Sequence, residues 1–190
     1  MSPADEKRNE FIADNPEKED LNQYWYSPRT IETIAAEVQE LGSGGTAFLS
    51  TPSIYFSLDE AVRHKCRVFD LDTKWSKDPG FVLYDFTKPE NIPKNVRGMF
   101  DMVVIDPPFI TREVWENYAQ ASRLLLREGG PRRILCSTIP ENASFMEELL
   151  GVAPCTFKPS IPHLVYQYSL FTNYESERLQ VSNPEIPEEA

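Results

Sequence analysis

Apolar residues recur along this chain in two periods that take turns. After Ser27-Pro28, the residues Ile31, Ile34, Ala35, Val38 and Leu41 fall at helical spacing, and Gly42 supplies an end. Serine before proline is a helix start. The hydroxyl caps the first turn, and proline gives up an amide that has no partner there anyway. Short runs rich in β-branched and aromatic residues follow at Thr46–Thr51, Cys66–Leu71, Phe81–Asp85, Phe100–Ile105 and Arg133–Ser137, and these predict five buried strands. Helical patterns separate several of them. Ile54–His64 is one, Arg112–Glu128 another through Val114, Tyr118, Ala121 and Leu125, and Glu141–Leu150 a short third. Gly129-Gly130-Pro131 breaks the second of these. Val152–Phe157 and Val165–Tyr174 read as a closing antiparallel pair joined by a Pro-rich loop.

Strands that alternate with helices join in parallel, with helices on both faces of the sheet. A final pair without an intervening helix adds an antiparallel hairpin at one edge. The expected class is therefore α/β, a Rossmann-like, mostly parallel sheet in one domain over residues 21–174. Residues 1–20 read as a flexible charged segment, disordered or loosely helical, and 175–190 as a flexible acidic tail.

Charge sharpens this division. The net charge is −11, but residues 1–20 carry seven acids against three bases and 175–190 carry five against one. The central domain is left with −3 and no Lys/Arg-rich patch, which argues against long nucleic acid as a partner. No apolar run approaches a membrane span. The start, Met1-Ser-Pro-Ala-Asp-Glu-Lys-Arg8, has no apolar leader core. Cys66, Cys136 and Cys155 are far apart and form no metal-ligand or disulfide spacing. The expectation is a cytoplasmic monomer with reduced thiols and no metal.

The chemistry concentrates at strand ends. Asp106-Pro107-Pro108-Phe109 follows the fourth strand. Proline removes a backbone donor and restricts its predecessor to extended geometry, so the strand stops in a stiff corner. Ligands of open α/β sheets bind beyond the carboxyl ends of strands. Asp106 and the prolyl carbonyls can accept from an N–H group there, with Phe109 packed on its apolar part. The alternative is an ordinary turn capped by Asp106.

The turn after the first strand, Thr51-Pro52-Ser53, lacks the usual glycines. Ser53 either offers its hydroxyl to a cofactor or simply caps the next helix. Asp70 and Asp72 close the second strand, where a carboxylate can accept from two ribose hydroxyls, with Asp70 the favoured one. A solvated turn is the other reading. Asp85 and Phe86 end the third strand and suit an adenine amine and its ring. Trp25-Tyr26-Ser27 precedes the first long helix, either as a lid on the core or as a site for a cofactor carboxylate at the helix start.

Gln23-Tyr-Trp-Tyr-Ser27, Ser50-Thr-Pro-Ser-Ile-Tyr55, Phe69-Asp-Leu-Asp72, Asp101-Met-Val-Val-Ile-Asp-Pro-Pro-Phe109 and Phe171-Thr-Asn-Tyr174 occur in this order. Together they resemble the eukaryotic elongation factor 1-alpha lysine methyltransferase family, formerly grouped through Asp-Pro-Pro with N(6)-adenine DNA methyltransferases. The resemblance implies the seven-stranded methyltransferase fold, S-adenosylmethionine as cofactor, and methylation of a lysine on elongation factor 1-alpha in the cytoplasm. It also makes the glycine-poor turn a family trait. In that reading Asp106 accepts the target amine and also touches the cofactor, Pro107 and Pro108 belong to the catalytic corner, and Phe109 walls the lysine channel. Two rivals stay open: a nucleic-acid adenine methyltransferase, and a catalytically silent domain that binds cofactor or a partner.

Overall fold

The computed structural model describes residues 8–187. Its seven-stranded sheet has the order β3-β2-β1-β4-β5-β7-β6. β1 (Thr46–Leu49), β2 (Arg67–Asp70), β3 (Phe81–Leu83), β4 (Met102–Ile105) and β5 (Arg133–Thr138) run parallel. β7 (Ser169–Thr172) lies antiparallel to β5, and the two-residue β6 (Ala153–Pro154) closes the edge.

Period two decides which side each residue takes. In β1, Phe48 packs with Ile31, Ile34 and Val38 of α2 (Pro28–Leu41) on one face. Its neighbours Ala47 and Leu49 pack with Trp115, Tyr118 and Leu125 of α5 (Arg112–Leu125) on the other. β1 and β4 are buried at every position, as continuous apolar strands covered on both faces must be. Their pairing, Leu49 opposite Ile105, sets the ends of the two central strands side by side. There the order of connections reverses, so the loops after β1 and β4 diverge and leave a crevice.

The start of α2 matches its sequence: Ser27 caps Thr30 N, Pro28 opens the helix and Gly42 ends it. The pattern over 54–64 instead yields two single turns, α3 (Pro52–Tyr55) and α4 (Glu60–Arg63). Ser57 Oγ bonds back to Ser53 O at 2.6 Å, and Asp59 turns to extended geometry, so the helix does not run through. α5 stops at Leu125 because Leu126 is drawn into a bridge with Phe100. α6 (Ala143–Leu150) falls inside the range expected of it.

The described parts of both termini differ from the loose segments their composition suggests. α1 (Glu10–Asp14) buries Phe11 against Trp25, Phe56 and Trp75. At the other end, buried Glu37 on α2 accepts from Tyr174 Oη at 2.8 Å, Ser176 Oγ at 2.7 Å and Arg178 Nη1 at 2.7 Å. Leu179 is buried beside this network. The pattern missed both because each depends on one or two residues inside an otherwise polar stretch. Residues 1–7 and 188–190 lie outside the described part of the chain. Truncating Phe11 to Ala should cost about 3 kcal/mol in a denaturant titration, as for other buried aromatic side chains. The cluster it leaves, Trp25 and Trp75, should report the loss as a change in fluorescence.

Candidate functional site

A cleft of about 780 Å3, its open mouth included, lies over the carboxyl ends of the central strands. Its floor comes from strand ends: Ser50 and Pro52 after β1, Asp70 and Leu71 at β2, Tyr84 and Phe86 after β3, and Asp106, Pro107 and Pro108 after β4. One wall is the strap Leu21–Trp25, and the other is the Pro-rich loop through Ile161, Leu164 and Tyr168.

Ser50 takes the place of a glycine. Its φ of +60° is left-handed, a conformation that costs most side chains about 1–2 kcal/mol. Two bonds hold it: Ser50 N donates to Phe69 O at 2.9 Å, and its hydroxyl meets Tyr118 Oη at 2.7 Å. Thr51 and Ser53 sit behind this turn. Both are buried, and Thr51 Oγ1 reaches Val104 O, away from the cleft. Of the first-turn candidates the structure brings only Pro52 to the cleft wall.

The two acids of β2 have different surroundings. Asp70 lines the cleft, and its Oδ1 accepts from Asp72 N at 2.8 Å. Burial pushes its carboxyl up to about 6, with the Asp72 charge adding to it and backbone amides opposing. Asp72 lies outside the cleft lining: it accepts from Gln23 Nε2 of the strap at 3.0 Å and from Lys18 Nζ just before the strap at 2.9 Å, and it caps its own turn by accepting from Lys74 N at 3.0 Å. Burial works against its charge, but these donors outweigh burial and hold its carboxyl below the usual range. Asp85 also turns away, capping Thr87 N at 2.9 Å and Thr87 Oγ1 at 2.7 Å on the surface, while Phe86 beside it does line the cleft.

At the Asp-Pro-Pro corner, Asp106 is half-buried at the cleft floor. Burial raises its carboxyl to about 7, with the hydroxyls of Ser137 and Tyr26 acting against the rise. Ser137 Oγ donates to Asp106 Oδ1 at 2.9 Å. The Pro108 carbonyl is already taken by Asn22 Nδ2 of the strap. Phe109 is 53% exposed and lies outside the cleft lining, its ring near that of Phe86, which does line it.

Of the aromatic element before α2, Trp25 lines the cleft, Tyr26 is buried against Ser137, and Ser27 caps α2 and bonds Glu185 Oε2 at 2.6 Å. The sequence reading passed over Ser50, Tyr84, Ser137 and Tyr168. Ser50 and Ser137 had a usable signal, being polar residues at the ends of apolar runs. Tyr84 has a buried hydroxyl with no hydrogen-bond partner among the described residues. Such a group in a cleft wall calls for a ligand or water. No cluster of His, Cys, Asp and Glu suited to a metal occurs among the described residues, nor any helix long and apolar enough to cross a membrane.

The family model described as "Probable N6-adenine methyltransferase" matches residues 17–176. EEF1A lysine methyltransferase 1 of Bos taurus is 34% identical over 181 residues, covering 91% of this chain and 77% of its own. The Homo sapiens protein of that name is 32% identical over 165 residues, with coverages of 82% and 74%. A protein-lysine N-methyltransferase of Dictyostelium discoideum is 29% identical over 169 residues, covering 86% of this chain and 80% of its own. The branched-chain polyamine synthase of Thermus thermophilus, in complex with N4-aminopropylspermidine and 5'-methylthioadenosine, has a TM-score of 0.63 to this fold. It covers 91% of this chain and 65% of that one at 14% identity, a likeness of fold alone. By fold and by matches over most of its length, the chain belongs to the probable N6-adenine methyltransferase family, among the relatives of EEF1A lysine methyltransferase 1, and is a methyltransferase.

Proposed function

We propose that this methyltransferase uses S-adenosylmethionine to methylate a lysine ε-amine of a protein, elongation factor 1-alpha, in the cytoplasm. The observation that carries the reading is Asp106, a carboxylate enclosed at the cleft floor with only hydroxyl donors on it. The groups around it are Tyr26, Ser137, Tyr118, Tyr168 and Cys136, none of them cationic. An acid so placed gains most from a ligand that brings N–H donors or positive charge. A lysine amine does both, and the names of the relatives point to the same substrate.

The cleft residues suit the cofactor. Asp70 is a buried acceptor for vicinal hydroxyls, and the Tyr84 hydroxyl lacks a partner. Phe86 and the exposed Leu71 offer apolar surface to a planar ring. When bound, S-adenosylmethionine supplies an electrophilic methyl group. The chain's own task is alignment and proton control. Asp106 accepts a hydrogen bond from the amine and takes its proton, since only the neutral amine has a free lone pair. Pro107 and Pro108 keep that carboxylate in place, and Phe109, its ring near that of Phe86, shields the lysine stem. The strap, tied to Asp72 and to Pro108 O, covers the cleft.

A second reading has the same corner take an adenine amine, in keeping with the family's description. The net charge of −11 and the lack of a basic patch weigh against a nucleic-acid partner. Incubation with labelled cofactor, purified elongation factor 1-alpha and nucleic acid separates the two: label in the protein supports the proposal, and label in nucleic acid alone overturns it.

Asp70→Asn should weaken S-adenosylmethionine binding in calorimetry about tenfold or more, because a buried acceptor for hydroxyls is lost. Asp72→Asn should have the smaller effect, acting only through the strap. Equal losses would return Asp72 to the cofactor.

Asp106→Asn should lower turnover by about 30–1000-fold, or about 2–4 kcal/mol, with cofactor affinity nearly unchanged. The same variant should stabilise the ligand-free protein at pH 8 by about 1–3 kcal/mol, visible as a higher Tm.

Activity and stability should respond to pH in opposite directions. Asp106 must be ionised to accept from the amine, so kcat/KM should fall about tenfold per unit below pH 7. Asp70 and Asp106 have folded-state values near 6 and 7, above the unfolded value near 4. The folded state therefore binds more protons than the unfolded one in that window. Their contribution to stability is full below about pH 4 and is lost as pH rises through 6 and 7.

A further inference from the structure

Ser137 lies at the carboxyl end of β5, fully buried, and Tyr26 lies just before α2, equally enclosed. Their hydroxyl oxygens are 2.5 Å apart, and Ser137 Oγ is 2.9 Å from Asp106 Oδ1. With Asp106 ionised, proton counting fixes the direction of this chain. A serine hydroxyl has one hydrogen, and here it goes to Asp106. Tyr26 must then be the donor to Ser137. The series runs Tyr26 Oη–H to Ser137 Oγ–H to Asp106 Oδ1. Among the described residues no side chain or backbone group holds Asp106 Oδ2, and Asp106 lines the cleft.

We propose that Ser137 and Tyr26 are positioning residues, two buried hydroxyls in series that hold Asp106 by one oxygen and leave the other for the target amine. The inference rests on the assignment of Asp106 as the amine's acceptor. It gives Tyr26 a role away from the cofactor, through the carboxylate. The arrangement has three consequences. Rotation about the Asp106 side chain is stopped at a single oxygen. The carboxylate receives the Ser137 donor directly with the Tyr26 hydroxyl close behind it, and both favour its charged form against burial. And because Tyr26 follows the strap directly in sequence, strap and carboxylate are tied through two hydrogen bonds.

The titratable groups that face Asp106 come from four elements. They are Tyr26 before α2, Tyr118 on α5, Cys136 on β5 and Tyr168 before β7. Burial raises all four above their ordinary values, so all stay neutral through the range in which Asp106 titrates. A change in the titration of Asp106 on removing a hydroxyl is therefore a direct effect.

The test is a carboxyl-13C aspartate titration of the ligand-free protein, with Asp106→Asn identifying the resonance. In the native protein Asp106 should titrate near pH 7. Ser137→Ala should raise that midpoint by about one pH unit, and Tyr26→Phe should raise it by less. Ser137→Thr, which restores a hydroxyl, should return it toward the native value. The acid limb of kcat/KM on the protein substrate should move up by the same amount in each variant, with S-adenosylmethionine affinity unchanged in calorimetry. An unmoved Asp106 midpoint in Ser137→Ala overturns the proposal. So does a lower rate at every pH without a shift of the limb, since that is the mark of a purely structural role. Should Ser137→Ala not fold, Tyr26→Phe decides alone: a raised midpoint supports the series and an unchanged one refutes it. The titration needs no substrate, so it stands apart from the substrate assignment. Shifted midpoints with no methyl transfer to protein would leave the hydroxyl series intact and sink the lysine reading instead.

Discussion

A half-buried carboxylate at the end of a central strand, with no cation among the described residues to meet it, is the constraint around which this molecule is arranged. Asp106 follows β4, whose four residues are buried on both faces, and itself sits half-buried where the strand opens into the cleft. Ionisation there is opposed by burial and helped by two hydroxyls. The protein thus keeps a carboxylate without a counter-charge at the floor of its cleft. Much of the neighbouring structure makes sense as support for that state. Pro107 and Pro108 stop the strand, Ser137, backed by Tyr26, occupies one oxygen, and Tyr84, Phe86 and Tyr168 line the cleft around it. Sites of this kind spend stability on readiness, a common bargain where a ligand is to complete the charge balance.

The second acid pair shows how one position in sequence space divides its labour. Asp70 ends β2 and Asp72 caps the turn two residues on, yet one faces the cleft and the other the strap. Lys18 and Gln23 reach Asp72 from more than forty residues away in the chain. Such contacts are invisible to local pattern. The strap in turn reaches the Asp-Pro-Pro corner through Asn22, so the roof of the cleft is fastened at both β2 and β4.

The sheet, its edge hairpin and the start of α2 were legible in the sequence because each rests on a local rule. Period two separates Phe48 from Ala47 and Leu49, and a serine before proline caps a helix wherever it falls. Strand-end acids could be named for the same reason. Which of them would face the cleft could not, since Asp85 closes a turn with Thr87 and Asp72 answers Lys18. Ser50 could be picked out as a polar residue ending an apolar run, but nothing in the sequence marks that it adopts a glycine's conformation. The packed stretches around Phe11 and Leu179 escaped because a single buried residue anchors each within a composition that is polar.

Ser50 carries a consequence for how the cleft meets its ligand. A glycine at the left-handed position would reach the same geometry freely, but it would also leave it freely. Serine is held there from two sides, by the Phe69 carbonyl and by Tyr118 in the middle of α5. The turn beneath the cleft is thereby fastened to the packing of a whole helix. Its conformational entropy is surrendered when the protein folds rather than when a ligand arrives, so binding there draws on contacts with little of the gain spent on ordering the loop.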